Sequence, residues 1–279
     1  MNQEFRIGGL PPTGELHSWL IVFEHQLSLH AAIPHLASRR MVSLRISGDA
    51  LTLEKMLCNG AMTKTADLPV HVCGHRLTSP RHICCFFDSR EQQYDVLTPY
   101  FKEGLKNGEE VFCIMEGHFV EEHRGRLCAK GVDVAGNEAS GHLKTTTSDD
   151  TYLADGRFGK ERMYNVLASR LADLKKSKFT GIRTCGDMEW ALRNMPGTEE
   201  LMEYESEVNR LLTDRDDATF VCVYDANRIG GRAMIDILST HTHVVMGNIV
   251  HENPYHMSPD AYRRSFLARR MATTSLSAG

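Results

Sequence analysis

From about residue 80 onward, short apolar segments alternate with amphipathic segments, and this alternation limits the chain to one class of fold. Runs typical of buried strands cover 83–87, 111–115, 143–146, 181–185, 219–224 and 244–250. Helical periodicity covers 90–106, 120–130, 160–175, 199–212 and 231–239. Strands that alternate with helices form a mostly parallel sheet with helices on both faces. The sequence therefore predicts a three-layer α/β domain.

Acidic residues lie at or just beyond the ends of several predicted strands. They are Asp88, Glu116, Asp187, Glu189 and Asp225. Open α/β sheets bind ligands outside the carboxyl ends of their strands, so these carboxylates are predicted to line one crevice and bind a metal, a cation or a hydroxyl group. A structural interpretation stands beside this one, because acids are common in loops and as helix N-caps, as Asp88 would be.

Three larger side chains are predicted to complete the same ligand site. Trp190 follows Glu189 directly and is placed as an apolar wall of the pocket. The loop 147–158 supplies Tyr152 and Arg157, and Arg157 would pair with a rim acid or an anionic ligand. The alternatives are a core position for Trp190 and a plain structured turn for the loop.

Histidine and cysteine are dense between residues 71 and 85. The candidate metal ligands are His71, Cys73, His75 and His82. Their spacing matches no standard zinc module, so no cofactor is predicted and a metal stays an alternative. A second histidine cluster occupies 241–256, where simple hydrogen bonding is the competing interpretation. Most of the eight cysteines lie in apolar runs and are predicted to be reduced, buried thiols.

Several function classes find no support in the sequence. The net charge of −4 disfavours a chain that coats nucleic acid by bulk charge. There is no apolar run of bilayer length and no signal segment, which predicts a cytoplasmic protein without a membrane partner. Gly159-Lys160 fails the phosphate-loop pattern, and neither Gly-x-Ser-x-Gly nor His-Glu-x-x-His occurs. The chain is therefore not predicted to be an enzyme.

The first 70 residues follow a different pattern. Strands are conceivable at 20–23 and 41–46, and no helix-turn-helix is evident, which puts direct DNA binding in doubt. Residues 1–61 are interpreted as an extension, or as a mis-called start with Met62 as initiator, and a small divergent domain is the alternative. The predicted organisation is 1–70 as this segment, 71–258 as the main domain and 259–279 as a C-terminal helix and tail.

An ordered set of short motifs resembles the MEDS family of sensory domains. The motifs are His82-Ile-Cys, Tyr152 with Asp155-Gly-Arg-Phe158, Gly186-Asp-Met-Glu-Trp-Ala191, Tyr204-Glu205, Cys222-Val-Tyr-Asp225 and Asn253-Pro-Tyr255. The resemblance implies a RecA/KaiC-like fold without a working phosphate loop. It also implies the sensing of small organic compounds within a transcriptional regulator or signalling protein.

The leading hypothesis is a sensory protein that binds a small organic ligand at the carboxyl ends of the strands. Ligand binding would be signalled to a regulatory protein partner. Ligand contacts would select one arrangement of the 147–158 loop. Two alternatives stay open: a metal-assisted or nucleotide-handling enzyme at the same rim, and a non-catalytic interaction module. A homo-oligomer is possible under each.

Overall fold

The strands of the protein form one main sheet and one small hairpin. The computed structural model describes residues 69–277. The hairpin pairs β1 (His71–Val72) with β2 (His75–Arg76). The main sheet contains β3 (His82–Phe87), β4 (Glu110–Met115), β5 (Leu143–Thr147), β6 (Ile182–Asp187), β7 (Ala218–Asp225), β8 (His243–Met246) and β9 (Ile249–Glu252). Its order is β5-β4-β6-β7-β3-β8-β9, and every pair is parallel except β8 with β9.

Helices cover both faces of this sheet. They are α1 (Arg90–Lys106), α2 (Val120–Ala129), α3 (Val134–Ala139), α4 (Lys160–Leu174), α5 (Leu201–Leu212), α6 (Gly231–Thr240) and α7 (Pro259–Ser277). Buried residues of α1, α2 and α3 form one hydrophobic core, and those of α4, α5 and α6 form the other. The predicted three-layer α/β class is confirmed.

Strand β3 shows why apolar runs were a reliable signal. All six of its residues are buried, because helices cover the sheet on both sides. Cys84 and Phe86 join the α4–α6 core, while Ile83, Cys85 and Phe87 join the α1–α3 core. The pleat sends successive side chains to opposite faces, so one continuous run supplies both cores. The prediction of buried thiols is confirmed here for Cys84 and Cys85.

The predicted final strand at 244–250 is wrong, because it is two antiparallel strands. Strand β8 ends at Met246 and β9 begins at Ile249. Gly247 and Asn248 between them have φ of 56° and 63°. Two successive positive φ values are typical of the tight hairpin turn that matches the strand twist. The apolar run alone does not show this reversal.

The N-terminal predictions lie outside the described residues. This applies to the strands at 20–23 and 41–46 and to the interpretation of residues 1–61. At the other end, α7 occupies the segment where a C-terminal helix was predicted. Between residues 69 and 277, no helix combines the length and apolarity that a bilayer crossing needs.

Gly197 is a position where the backbone excludes any side chain. Its φ is 89°, and an added Cβ would lie 2.1 Å from the carbonyl oxygen of Phe158. We expect Gly197→Ala to lower the free energy of unfolding by about 2–4 kcal/mol. Both the left-handed backbone conformation and the clash with the Phe158 carbonyl raise the energy of the folded variant. Urea unfolding followed by circular dichroism measures the loss.

Gly156→Ala is the matched control, because Gly156 has φ of 72° but open space around the added Cβ. It carries the strain without the clash and should lose only about 1–2 kcal/mol. Equal losses in the two variants would show that the contact with Phe158 is easily relieved.

Candidate functional site

The topology creates one crevice at the carboxyl ends of the parallel strands. Strands β3 and β7 are neighbours in the sheet. The chain leaves β3 through α1 toward β4 on one side, and it leaves β7 through α6 toward β8 on the other. Helices that diverge from adjacent strands open a gap above their ends, which is where open α/β sheets bind ligands.

A small cavity of about 60 Å³ occupies this crevice. Its walls come from the ends of β3, β6 and β7 and from the start of α1. The lining residues are Phe87, Ser89, Arg90, Gln93, Asp187, Glu189, Val223, Tyr224 and Asp225. The space corresponds to about two water molecules at liquid density, so it fits only a ligand of a few heavy atoms.

Arg90 organises the charges around the cavity. Its guanidinium lies 2.5 Å from Asp187 and 2.9 Å from Glu189, and it stacks over the Phe119 ring at 4.1 Å from the centroid. Burial alone would lower the pKa of Arg90, but the Asp187 and Glu189 carboxylates outweigh it and raise that pKa. Arg228 contacts the other oxygen of Glu189. Glu189 therefore bridges two cations that belong to different elements.

Local capping places these groups. The Ser89 side chain accepts from the backbone N–H of Gln92 and caps α1, so Arg90 becomes the first helical residue at the rim. Asp187 caps the short helix Met188–Arg193 by accepting from the N–H of Glu189 at 3.0 Å. The N-cap expected at Asp88 is therefore at Ser89 instead.

The structure gathers three of the five predicted carboxylates, namely Asp187, Glu189 and Asp225. Asp225 also accepts from the backbone and side chain of Asn227, which makes it a turn former as well. Asp88 is exposed and does not line the cavity. Glu116 lies elsewhere, where it accepts from Ser148 at 2.8 Å and pairs with Arg193 at 3.3 Å. The prediction of one crevice shared by all five is corrected to three.

Trp190 does not form a wall of this cavity, which corrects the predicted placement. It is fully buried and stacks between Tyr152, at 4.9 Å, and Phe158, at 5.1 Å. Tyr152 is buried as well, with its hydroxyl against Gly186, where an added Cβ would lie 2.4 Å away. These two rings belong to the core beneath the rim.

Arg157 is exposed on its loop, so its predicted position beside a rim acid is corrected too. The cation that orders this loop is Arg162, which donates to the carbonyl oxygens of Thr151, Tyr152 and Arg157. Arg162 lies in α4, one turn beyond the loop, and the guanidinium reaches back to satisfy carbonyls that no strand pairs. The sequence signal that points to it is an arginine in the first turn of a helix that directly follows an irregular loop.

The four metal candidates from the N-terminal cluster are not together. His71 hydrogen-bonds Glu103 at 2.6 Å and, like Cys73 and His75, belongs to the β1–β2 hairpin segment. His82 instead begins β3 inside the core and is 1% exposed. The grouping of these four as one site is therefore wrong.

A different set surrounds His82, namely Glu205, Cys222 and His241. One ligand atom from each of the four lies within 4.8 Å of the others, and all four residues are buried. The distance from Glu205 Oε2 is 3.2 Å to His82 Nε2, 3.5 Å to His241 Nε2 and 3.6 Å to Cys222 Sγ. Cys222 Sγ lies 3.7 Å from His82 Nε2. We call these four residues the buried quartet.

Burial shifts the acid–base behaviour of the buried quartet. It lowers the pKa of His82 and of His241 to about 3, against partial compensation from Asn209 and from Glu205 respectively. It raises the pKa of the Glu205 carboxyl and that of the Cys222 thiol. Without a bound cation, the low-dielectric core therefore favours the neutral form of every member.

A larger groove in the described part of the chain shares no lining residue with either of these sites. Its volume is about 720 Å³, and it lies open between α4 and the edge strand β5. Charged side chains such as Glu110, Arg162 and Arg170 share its lining with Val166 and Phe179. It is wide and shallow, whereas small-molecule sites enclose most of their ligand. We therefore place the candidate ligand site in the small cavity above the ends of β3 and β7, which is the switch point of the sheet.

The sequence profile of a sensory domain matches residues 81–242, and its description reads methanogen/methylotroph, DcmR sensory domain, or MEDS. The chain belongs to the MEDS family. It is also 25% identical over 179 residues to the transcriptional repressor DcmR of Methylorubrum extorquens, and this covers 61% of each chain. The chain thus spans about three fifths of that repressor. The crevice residues and the buried quartet all lie within the MEDS match.

Among solved structures, the chain is similar to a KaiC-like protein from the archaeon Pyrococcus horikoshii. The TM-score is 0.42 at 12% sequence identity, over 58% of this chain and 70% of that one.

Proposed function

We propose that this MEDS protein is a cytoplasmic sensor that binds a small organic compound in the switch-point cavity and signals its presence to a transcriptional regulator. The observation that carries the proposal is the cavity itself. It combines apolar walls at Phe87 and Val223 with a carboxylate pair held by Arg90. The family's sensory description and the likeness to a repressor support a regulatory role.

The size and charge of the cavity limit its ligand. About 60 Å³ admits a one- or two-carbon compound and excludes a nucleotide. Three carboxylates and two guanidinium groups leave a formal charge of −1 at the rim, counting Asp187, Glu189, Asp225, Arg90 and Arg228. A neutral or weakly cationic compound with a hydrogen-bond donor suits such a surface better than an anion.

The relay follows from the bridging position of Glu189. A ligand that competes for its carboxylate loosens either Arg90, at the start of α1, or Arg228, before α6. Both pairs are partly exposed, and such pairs contribute only about 0–1 kcal/mol, so a weak ligand is able to exchange them. Binding then shifts the population of two arrangements of the α1 and α6 termini rather than refolding the domain.

A thermal-shift screen of the full chain tests the proposal. The panel contains one-carbon alcohols, methylamines, halomethanes, nucleotides and inorganic phosphate. We expect one class of small compounds to raise the midpoint of unfolding by about 4–8 °C at 100-fold excess over its Kd. Glu189→Gln should abolish that shift, because the amide keeps the size but loses the charge that holds Arg90.

Glu91→Gln is the matched control. Glu91 is an exposed acid in the first turn of α1, next to Arg90, and it pairs with Arg126 and Lys130. It should leave the ligand shift unchanged. A panel without any stabilising compound, or a shift that survives Glu189→Gln, would remove the cavity from the proposal.

A further inference from the structure

We propose that His82, Glu205, Cys222 and His241 bind one zinc-class divalent metal ion in the core between the sheet and α5. This site is separate from the rim cavity and does not depend on the proposed sensing function. Histidine nitrogen, cysteine sulfur and carboxylate oxygen are the ligands that zinc uses in proteins, and four of them make a closed structural site.

The imidazole tautomers are set for metal binding. The Nδ1 of His241 lies 2.8 Å from the carbonyl oxygen of Ile237, which only an N–H can satisfy. The Nδ1 of His82 lies 3.3 Å from Asn209 Oδ1. With hydrogen on each Nδ1, both Nε2 lone pairs point into the quartet. A hydrogen bond from the second ring nitrogen to a carbonyl is the usual support of a metal-bound histidine.

Asn209 is itself oriented by the surrounding backbone. Its Nδ2 donates to Thr240 O at 2.7 Å and to Ser206 O at 3.1 Å, so its oxygen must face His82. Asn253 donates to the backbone carbonyl oxygen of His241 at 2.7 Å, which holds the main chain at the other histidine. Of these two buried amides, Asn209 holds the imidazole of His82, and Asn253 holds the backbone of His241.

The separations between ligand atoms match tetrahedral coordination. Metal–ligand bonds of about 2.0–2.3 Å at tetrahedral angles put the ligand atoms about 3.3–3.8 Å apart. Four of the six pairs in the buried quartet lie 3.2 to 3.7 Å apart, and all six lie within 4.8 Å. Side chains from β3, α5, β7 and the end of α6 therefore converge on a space of the right size.

A simple hydrogen-bonded core explains these contacts less well. His241 Nε2 is buried and has no hydrogen-bond partner among residues 69–277, although Glu205 Oε2 lies 3.5 Å away. An unsatisfied buried nitrogen destabilises the folded state, because it has lost its hydrogen bonds to water. A divalent ion removes this cost and gives a neutral site, because the charges of one thiolate and one carboxylate cancel its own.

Elemental analysis of the full chain, purified without chelator, is the first test. We expect about one zinc per chain. Stripping the metal with a strong chelator should lower the unfolding midpoint by about 5–10 °C, and Zn²⁺ alone should restore it. Replacement by Co²⁺ should produce visible absorption of a tetrahedral site and a near-ultraviolet thiolate band.

Variants then locate the ion. Cys222→Ser and His241→Gln should lose the bound metal and the cobalt bands. Cys84→Ala is the matched control, because Cys84 is an equally buried thiol in β3 that donates to the His243 carbonyl oxygen. It should keep both. Asn209→Ala should weaken metal affinity about 10–100-fold while leaving one metal per chain at saturation.

Three results would overturn the proposal. They are a metal-free native chain that Zn²⁺ and Co²⁺ do not stabilise, metal retained by Cys222→Ser, and a thiolate band that disappears in Cys84→Ala. If the quartet variants do not fold, the cobalt band of the native chain decides. It must persist when each of the other seven cysteines is replaced in turn.

Discussion

Replacing Arg183 with methionine is expected to lower the free energy of unfolding by about 3–5 kcal/mol, a large part of the stability of a typical domain. Arg183 is 0% exposed, and its guanidinium binds both oxygens of Glu109 at 2.7 and 2.8 Å. It also donates to Glu103 and to the Tyr100 carbonyl oxygen. The variant would leave the buried Glu109 carboxylate without a cation, and this uncompensated charge is the main cost.

A double-mutant cycle measured by urea unfolding separates the cost of the unpaired charge from the cost of lost packing. Arg183→Met with Glu109→Gln should recover part of the loss, because no buried charge stays unpaired. Arg126→Met is the control, since Arg126 pairs with exposed Glu91 and Glu122 and should cost less than about 1 kcal/mol. If Arg183→Met costs as little as Arg126→Met, the buried network does not stabilise the fold.

Trp190→Ala should lower the free energy of unfolding by about 3–5 kcal/mol. The indole is fully buried between the Tyr152 and Phe158 rings, so its removal leaves a cavity that rigid neighbours fill poorly. Trp190→Phe should cost clearly less, because it keeps a stacked ring. Circular dichroism in urea gives both values.

Ligand binding distinguishes the two roles considered for Trp190. A core residue affects binding only through stability, so Trp190→Phe should keep the ligand shift found in the screen. A loss below about 1 kcal/mol in Trp190→Ala, together with abolished ligand binding, would instead make Trp190 a wall of the ligand site.

Several motifs that suggested a site have structural reasons in the fold. Gly104 stands in α1 because an added Cβ would lie 2.7 Å from the side chain of Arg183. Glu109, five positions farther along the chain, is the ion partner of that arginine. Gly186 makes room for the Tyr152 hydroxyl in the same way. Such motifs mark packing as readily as binding.

Local patterns were sufficient for the α/β class and for most elements. The buried runs of β3, β4 and β7 and the amphipathic face of α5 depend only on residues near in sequence. The break at Gly247-Asn248 was missed because the apolar residues on both sides were interpreted as one strand, although Gly-Asn between two such runs is typical of a hairpin turn.

The candidate site could be predicted only in part. Asp187 and Glu189 were found because they follow a strand, and parallel strands bring their carboxyl ends to one edge. Arg90 was missed, because nothing in its sequence neighbourhood distinguishes it from other helix-start arginines.

By itself, the sequence determined the layered α/β architecture, the acids along the sheet edge and membership of the MEDS family. Hydrophobic periodicity and strand ends are local properties, so they can be read without coordinates. Only the tertiary structure decided which acids meet Arg90, that Trp190 is buried, and that His82 and Cys222, 140 positions apart, approach within 3.7 Å. Contacts of that kind depend on strand order and register, which the packing of the whole domain selects.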